Sequence, residues 1–595
     1  MNARSRALPL LLLAAAAASL VPFIGYLTDD SFIYLQFAKH LVQGKGFSFN
    51  AGEPTYGATS PLWVFLLALT GKVLPMEAAA PRDASWMPAL AWVAKAYGAV
   101  FHVLTVWLLT RIGRRLGWDE WTSLGLGLLI AAHAWAMRWA LSGMESPLAT
   151  ACVALALYGL AGILLQGRPG WGTGMALGLA SLARPECHLL AALGLLAVWA
   201  GAERGFRRAV ELLGGVSLVL LPWLVTAWGW FHTVLPNTAA AKSGAWVRPG
   251  LAIAAIHAAF QIELVTDALP LALFVLVLAF GSRSTALPGT RGRRLFWSVC
   301  AAWPALLILT FALGGVQVVS RYLLPATPCV LLLGMASLRW VVATSAPRRY
   351  ALALPVFLCA FTLQNALFTC LVGVPSTRAH TRGLRASLVS IGIWARDRTP
   401  PGASFAVPDI GAFGYYSDRP VLDLYGLVTP EIAPVVVREG YDAVVRRLLF
   451  EKAGRPDYLI DRHAVRARLA DGGDETSPYR FIFAREIPNL GITRPGTYYY
   501  SVYAIDWKVV DRTRVRIARS GGVGRRGPIA RGASGAYTDA GKTAHLRASP
   551  RRQASYIQWL ILRGSSPVSG LVRAGPRCAA GSSDRSGSGR RSPPA

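Results

Sequence analysis

The sequence predicts an α-helical polytopic membrane protein followed by a small α/β domain and a basic tail. Three observations carry this. Of 595 residues, 53% are hydrophobic and only 15% charged, against roughly 25% charged in an ordinary soluble chain. The apolar residues fall into runs long enough to cross a bilayer, punctuated at alternate ends by arginine clusters. After Pro375 the runs shorten to strand length and turn signals return. A large water-soluble enzyme is therefore excluded. The net charge of +30 is not gathered into one aromatic-interleaved patch, so the basic residues read as topology determinants and no nucleic-acid partner is expected.

The first apolar run, residues 7–28, follows Arg4 and Arg6. It exceeds the roughly 7–15 residues of a signal-peptide core, and reads as a retained helix. With Arg4 and Arg6 inside, an outer loop spans residues 28–85. Its run from Pro61 to Pro75 contains Lys72 and is shorter than the ~20 residues of a span, so it is expected to lie along the outer leaflet. Further spans follow near 86–109, 121–140, 146–166, 171–183, 187–201 and 208–231. After a half-buried segment at 247–262 come 264–281, 294–313, 322–341 and 350–371, about eleven spans in all. Inward ends carry Arg111, Arg114, Arg115, Arg168, Arg204, Arg207 and Arg208, then Arg283, Arg291, Arg348 and Arg349. This topology places nine of the thirteen carboxylates in residues 1–375 outside, Asp29, Asp30, Glu53, Glu145, Glu263 and Asp267 among them. Acid–base chemistry belongs on that face.

Residues 376–518 are expected to form the α/β domain, outside the membrane, with strands in SFAVPDIG, RPVLDLYG, DYLID, RFIFARE and TYYYSVYAIDW and a helix over 436–452. Tyr415, Tyr416, Tyr498, Tyr499, Tyr500 and Tyr503 crowd stretches that alternate like strands. Strand propensity explains them, and so would a role as platforms for sugar rings. Residues 519–595 lack periodicity and contribute +11 from Ser520 on, text typical of disorder or of a shifted reading frame. The seven cysteines form no CxxC pair, so neither a zinc site nor a disulfide framework is indicated.

Chemistry has few candidates. Asp29 and Asp30 open a segment with Ile33, Phe37 and Leu41 at helical spacing and Gln36, Lys39 and Gln43 on another face, an interfacial helix on the outer leaflet. The two carboxylates either cap that helix or supply a general base at the lipid–water boundary. Arg184, Lys242 and Arg321 lie on the outer face. They read as snorkelling anchors or as cations for a lipid-linked phosphate. Glu53 and Glu145 are loop carboxylates, solvated or bound to sugar hydroxyls. A divalent cation at Asp29 and Asp30 would lack a full ligand set.

The segments LTDDSFIYLQFAKHLVQGKGFSFNAGEPTYGATSPLW, LSGMESPL, LARPE, LPNTAAAK, RYLLPATP and VPDIGAFGYYSDRPVLDLYGLVTPEI resemble the GT-C superfamily of polytopic glycosyltransferases. Within it the sequence is similar to the subgroup of the mycobacterial terminal β-(1→2)-arabinofuranosyltransferase, and more remotely to protein mannosyltransferases, over about residues 7–510. The resemblance implies an inner-membrane enzyme that takes a sugar from a polyprenyl-phosphate donor on the periplasmic side. Transfer would go, with inversion, to an envelope glycan, lipid or protein acceptor. It also implies that an Asp of the first outer loop is catalytic, which points to Asp29 or Asp30, Asp29 foremost. Two other classes stay open. A secondary transporter would show internal repeats and mid-membrane ionisable groups, and a scaffold binding envelope polysaccharide through 376–518 would not need Asp29 and Asp30.

Overall fold

The computed structural model describes residues 3–74, 86–237, 249–280, 290–345, 347–470, 477–492 and 495–520; Lys242 and the tail from 521 lie outside these. Helix α1 (Ala3–Ala18) is followed by α2 (Asp29–Val42) and α3 (Pro61–Val73). The bundle continues through α4 (Ala89–Arg115), α5 (Glu120–Ala131), α6 (Ala134–Ala140), α7 (Ser146–Gln166), α8 (Trp171–Ala183), α9 (Cys187–Gly201) and α10 (Gly205–Phe231). It closes with α11 (Pro249–Phe280), α12 (Arg291–Leu313), the single turn α13 (Ser320–Leu323), α14 (Thr327–Ser345) and α15 (Pro347–Phe368). Among the described residues, seven helices are long and apolar enough to cross a membrane, whereas α1, α3, α5 and α9 are shorter apolar helices. Apolar side chains of α10 and α15, such as Leu218, Val225, Leu352 and Val356, face outward, while α7 is enclosed by its neighbours.

Three expectations change, each for a local reason. The run 121–140 is two helices, because His133 caps α6 by accepting the Ala136 N–H on Nδ1 at 3.2 Å. The segments 247–262 and 264–281 are one helix, α11, broken at Asp267 with φ −117°. Asp267 is also not a solvated carboxylate: it is 1% exposed and accepts hydrogen bonds from His133 Nε2 at 2.8 Å and Thr266 Oγ1 at 2.7 Å. Carbonyls freed by the break are taken by Gln364 and Asn365 of α15, at 2.9 Å from Val265 and 3.0 Å from Thr266. Third, α2 does not lie on a surface, since Ser31 to His40 are all buried. Its polar face is covered by the C-terminal domain, where Lys39 Nζ meets Asp418 Oδ1 at 2.8 Å.

From α15 the chain continues as one helical run through α16 (Val374–Leu384) and α17 (Ser390–Arg398), joined by π-helical turns at 369–373 and 385–389. It then enters a five-stranded sheet of order β2-β1-β3-β5-β4, built from β1 (Phe405–Val407), β2 (Val421–Asp423), β3 (Tyr458–His463), β4 (Tyr479–Asn489) and β5 (Pro495–Ile505). Strands β2, β1 and β3 are parallel, and β5 runs antiparallel to β3 and β4. Alternation splits the sheet between two cores. Phe405, Val407, Tyr500 and Val502 join the core of the helical bundle, while Ala406, Leu459 and Tyr503 pack with Val444 and Phe450 on the opposite face. The helix expected over 436–452 is divided at Gly440, whose φ of +83° ends one helix (Ala433–Glu439) and starts the next (Tyr441–Arg446).

Candidate active site

Thr28, not an aspartate, is the N-cap of α2: its Oγ1 accepts the Ser31 N–H at 3.2 Å. Asp29 is thereby released for a partner from far along the chain. Its two carboxylate oxygens accept the N–H groups of Gly411 at 3.1 Å and Ala412 at 2.7 Å, at the start of α18 (Gly411–Ser417). The approach demands glycine, because a Cβ at 411 would lie 1.9 Å from the Asp29 carbonyl oxygen. Lys39, further along α2, meets Asp418 at the end of α18, so the two helices run side by side with their N-termini together. Burial and the negative charge of Asp409 push the half-buried Asp29 carboxyl up to about 8, against the opposing pull of the two N–H donors.

Asp30 turns the other way and pairs with Arg321 of α13. The Arg321 guanidinium lies 5.7 Å from the Trp139 ring and 5.3 Å from that of Tyr322, and Trp139 Nε1 donates to Ser320 Oγ at 2.9 Å. Beside them is a cation that sequence reasoning did not single out. Arg138 of α6 is 6% exposed, packed over the rings of Tyr26 (5.0 Å) and Trp139 (4.9 Å), with Nη2 donating to the Tyr26 hydroxyl at 2.9 Å. Among the described residues no carboxylate pairs with it, and its Nε is buried without an acceptor. The available signal was its position: an arginine between two tryptophans in the apolar run AHAWAMRWALSG.

The remaining candidates divide. Arg184 is 4% exposed and engaged by two carboxylates, Glu145 at 2.8 Å and Glu186 at 3.0 Å. Glu145 is itself 3% exposed, so it is not the solvated loop acid, and Arg184 not the snorkelling anchor, of the plainer expectations. Burial and Glu145 raise the pKa of the Tyr34 phenol well above its ordinary value, with Arg184, Thr59 and Arg321 opposing. The Tyr322 ring lies between Arg184, at 5.0 Å, and Arg321, at 5.3 Å. Glu53 stands apart on an exposed turn, bonded to Asn50 Nδ2 at 2.9 Å. Tyr415 and Tyr416 are not on a strand. They belong to α18 and are 0% and 1% exposed, with rings 5.7 and 5.6 Å from Phe32. A sugar cannot stack on them in this arrangement.

The C-terminal domain supplies a second carboxylate. Asp409, just before α18, holds Arg462 Nη1 on both oxygens at 2.6 Å and accepts the Tyr500 hydroxyl at 2.6 Å. Arg462 Nη2 reaches the Tyr425 hydroxyl at 3.1 Å. The loop after β2 seats on the first long connection, because Leu427 O and Val428 close over Gly57, and Asn237, beyond α10, bridges the two by donating from Nδ2 to Leu427 O at 3.2 Å and Thr55 Oγ1 at 3.1 Å. Both Asp29 oxygens hold N–H groups, and Asp30 pairs with Arg321. Among the described residues, no cluster of three or more His, Cys, Asp or Glu is arranged to hold a metal.

Residues 377–521 match a family model described as a domain of unknown function, DUF8728. No curated protein sequence matches the chain. Among solved structures, it is similar to ArnT from Cupriavidus metallidurans bound to undecaprenyl phosphate, at 13% identity and a TM-score of 0.51, covering 83% of this chain and 97% of that one. It is also similar to the Archaeoglobus fulgidus oligosaccharyltransferase in complex with zinc and sulfate, at 14% identity and a TM-score of 0.50, covering 76% and 67%. At such identities the likeness is one of fold, and the chain is a polytopic membrane protein that shares its overall fold with these two structures.

Proposed function

We propose that this chain is a membrane glycosyltransferase. It moves a sugar, with inversion, from a polyprenyl-phosphate carrier to an envelope acceptor hydroxyl on the outer, periplasmic face of the inner membrane. The observation that carries the reading is convergence. The segments LTDD, RYLLP and VPDIG, dispersed over nearly 400 residues of sequence, meet at Asp29 and Asp30 through direct hydrogen bonds, and the Tyr322 ring, 5.3 Å from Arg321 and 5.0 Å from Arg184, joins LARPE and, through Glu145, LSGMESP to them. A scaffold has no need of a half-buried carboxylate held at raised proton affinity between two domains. The fold shared with a protein solved on undecaprenyl phosphate supports a lipid-linked donor.

In the proposed reaction Asp29 takes the proton of the acceptor hydroxyl as its oxygen bonds to the anomeric carbon. The bond from that carbon to the phosphate oxygen breaks, and polyprenyl phosphate leaves with the electron pair. Arg321 and Arg138 stabilise the departing charge. Arg138 is suited to this because a buried cation with no carboxylate partner among the described residues is relieved by an incoming anion. Arg184, already flanked by two carboxylates, serves to hold α7, α8 and α9 together. The test is transfer of radiolabelled sugar by the purified full chain from polyprenyl-phosphate mannose, arabinose, glucose and aminoarabinose. Turnover from one donor, lost in Asp29→Asn, supports the reading. Turnover from none of the four, by protein that is folded and inserted, overturns it.

A further inference from the structure

The C-terminal domain presents a feature that the glycosyl-transfer reading does not use. In the order β2-β1-β3, the chain leaves β1 toward β2 on one side and later returns to pair β3 on the other, so neighbouring parallel strands send their loops in opposite directions. Open α/β sheets bind ligands at such a switch point, in the crevice beyond the carboxyl ends of the strands. Asp409 follows β1, Tyr425 follows β2, and Arg462 lies near the end of β3. Arg462 joins the other two side chains by hydrogen bonds, and all three are only partly buried. The same edge of the sheet carries Gly411 and Ala412, whose N–H groups hold Asp29.

Resting on the glycosyl-transfer reading, we propose that Asp409, Arg462 and Tyr425 form the acceptor subsite and recognise two neighbouring hydroxyls of a neutral sugar. Asp409 accepts from one hydroxyl. Arg462, whose Nε–H is not used by Asp409 or Tyr425, donates to the other, the bidentate geometry that a carboxylate–guanidinium pair offers a diol. Stacking of Tyr425 on Tyr441, with ring centroids 5.6 Å apart at 17°, fixes the hydroxyl that orients Arg462. Selectivity follows from charge. Above pH 8, where Asp29 is ionised, Asp29 and Asp409 together repel a carboxylate or phosphate on the acceptor, so the subsite takes an uncharged sugar. The acceptor hydroxyl to be glycosylated is then the one adjoining the bound diol, delivered toward Asp29.

The test uses the full chain in nanodiscs and a series of octyl glycosides with their monodeoxy analogues, at pH 9. Binding is first read by saturation-transfer NMR without donor. Asp409→Asn and Arg462→Lys each weaken binding of the best glycoside by at least about tenfold, as loss of a hydrogen bond to a charged group does. In the wild-type chain, deleting one of two adjacent hydroxyls weakens binding similarly, and in Asp409→Asn that second penalty shrinks to less than about threefold. In turnover, the same variants raise the acceptor KM and leave the donor KM unchanged. Equal binding by wild type and both variants, or penalties that simply multiply, overturns the subsite. Glycoside binding that depends on Asp409 and Arg462, in a protein that consumes no polyprenyl-phosphate sugar, upholds the subsite and overturns the transfer reading instead.

Discussion

At the residue scale, the position of Asp29 makes its titration the first thing to measure. A carboxyl raised to about 8 is a base only above that pH, so turnover should climb through pH 8 and not through the ordinary carboxylate range. Asp409→Asn removes the repelling charge and should move this limb to lower pH, whereas Asp29→Asn should lower turnover by ~10²–10⁴ and abolish the limb. Linkage gives the companion effect on stability. The folded form holds this proton more tightly than the unfolded chain, so the contribution is most favourable near and below pH 4 and is lost as pH rises toward 8. The two buried arginines should separate in the same way. Arg138→Gln is expected to raise the donor KM with little change in melting temperature. Arg184→Gln, which strands Glu145 in the interior, should destabilise the fold by about 3–5 kcal/mol; a changed donor KM in a stable Arg184→Gln protein would reverse the assignment. Asp29 and Asp30 were legible from sequence because charge at a lipid boundary is costly. Their partners were not, since Arg321 stands 291 residues from Asp30 and Gly411 382 from Asp29. Arg138 was passed over because it sits inside an apolar run, where only three-dimensional neighbours reveal that no carboxylate among the described residues answers it.

At the element scale, the helix pair α2 and α18 joins the two halves of the site. Its closeness depends on Gly411, where an added Cβ would meet the Asp29 carbonyl oxygen at 1.9 Å; Gly414 likewise lets α18 approach Phe49 of the connection after α2, whose ring a Cβ would meet at 2.5 Å. Gly411→Ala should therefore push the helices apart, lengthen the bonds to Asp29 and lower turnover at least tenfold, with a loss of stability of about 1–3 kcal/mol. Gly402→Ala, which meets nothing within 4 Å, is the control and should behave as wild type. Equal activity in the two variants would show that the helix pair does not position the base. The same pair explains what period reading missed. GAFGYYS was read with its strand-like neighbours because aromatic residues favour strands, yet it forms a helix whose tyrosines are buried on Phe32 of α2. A tertiary partner overrode a local preference. The strands around it keep the order read from SFAVPDIG, RPVLDLYG, DYLID, RFIFARE and TYYYSVYAIDW, although the first two shrink to Phe405–Val407 and Val421–Asp423.

At the scale of the whole molecule, the docking of α2 on α18 constrains topology independently of the arginine clusters. The first long connection and the sheet domain touch through Asp29, Lys39 and Gly57, so they share one side of the bundle. Helix α4, 27 residues at roughly 1.5 Å each, then carries the chain about 40 Å away from that side to Gly117. We propose the shared side to be the outer one, because Arg111, Arg114 and Arg115 gather at the far end of α4. Gly52, Gly402 and Gly117 all have open space where a side chain would begin, which makes them tolerant insertion points. Alkaline phosphatase fused at Gly52 or Gly402 should be active and a fluorescent protein there dark, with the reverse at Gly117. The two halves of this expectation fail separately. Opposite reports from Gly52 and Gly402 would mean that the Asp29 docking does not form in the membrane, removing the basis of the proposed site. Matching reports with both fusions inside would keep the site intact and turn it toward the cytoplasm, where soluble nucleotide sugars compete with lipid-linked donors and the case for a polyprenyl carrier would have to rest on direct transfer alone.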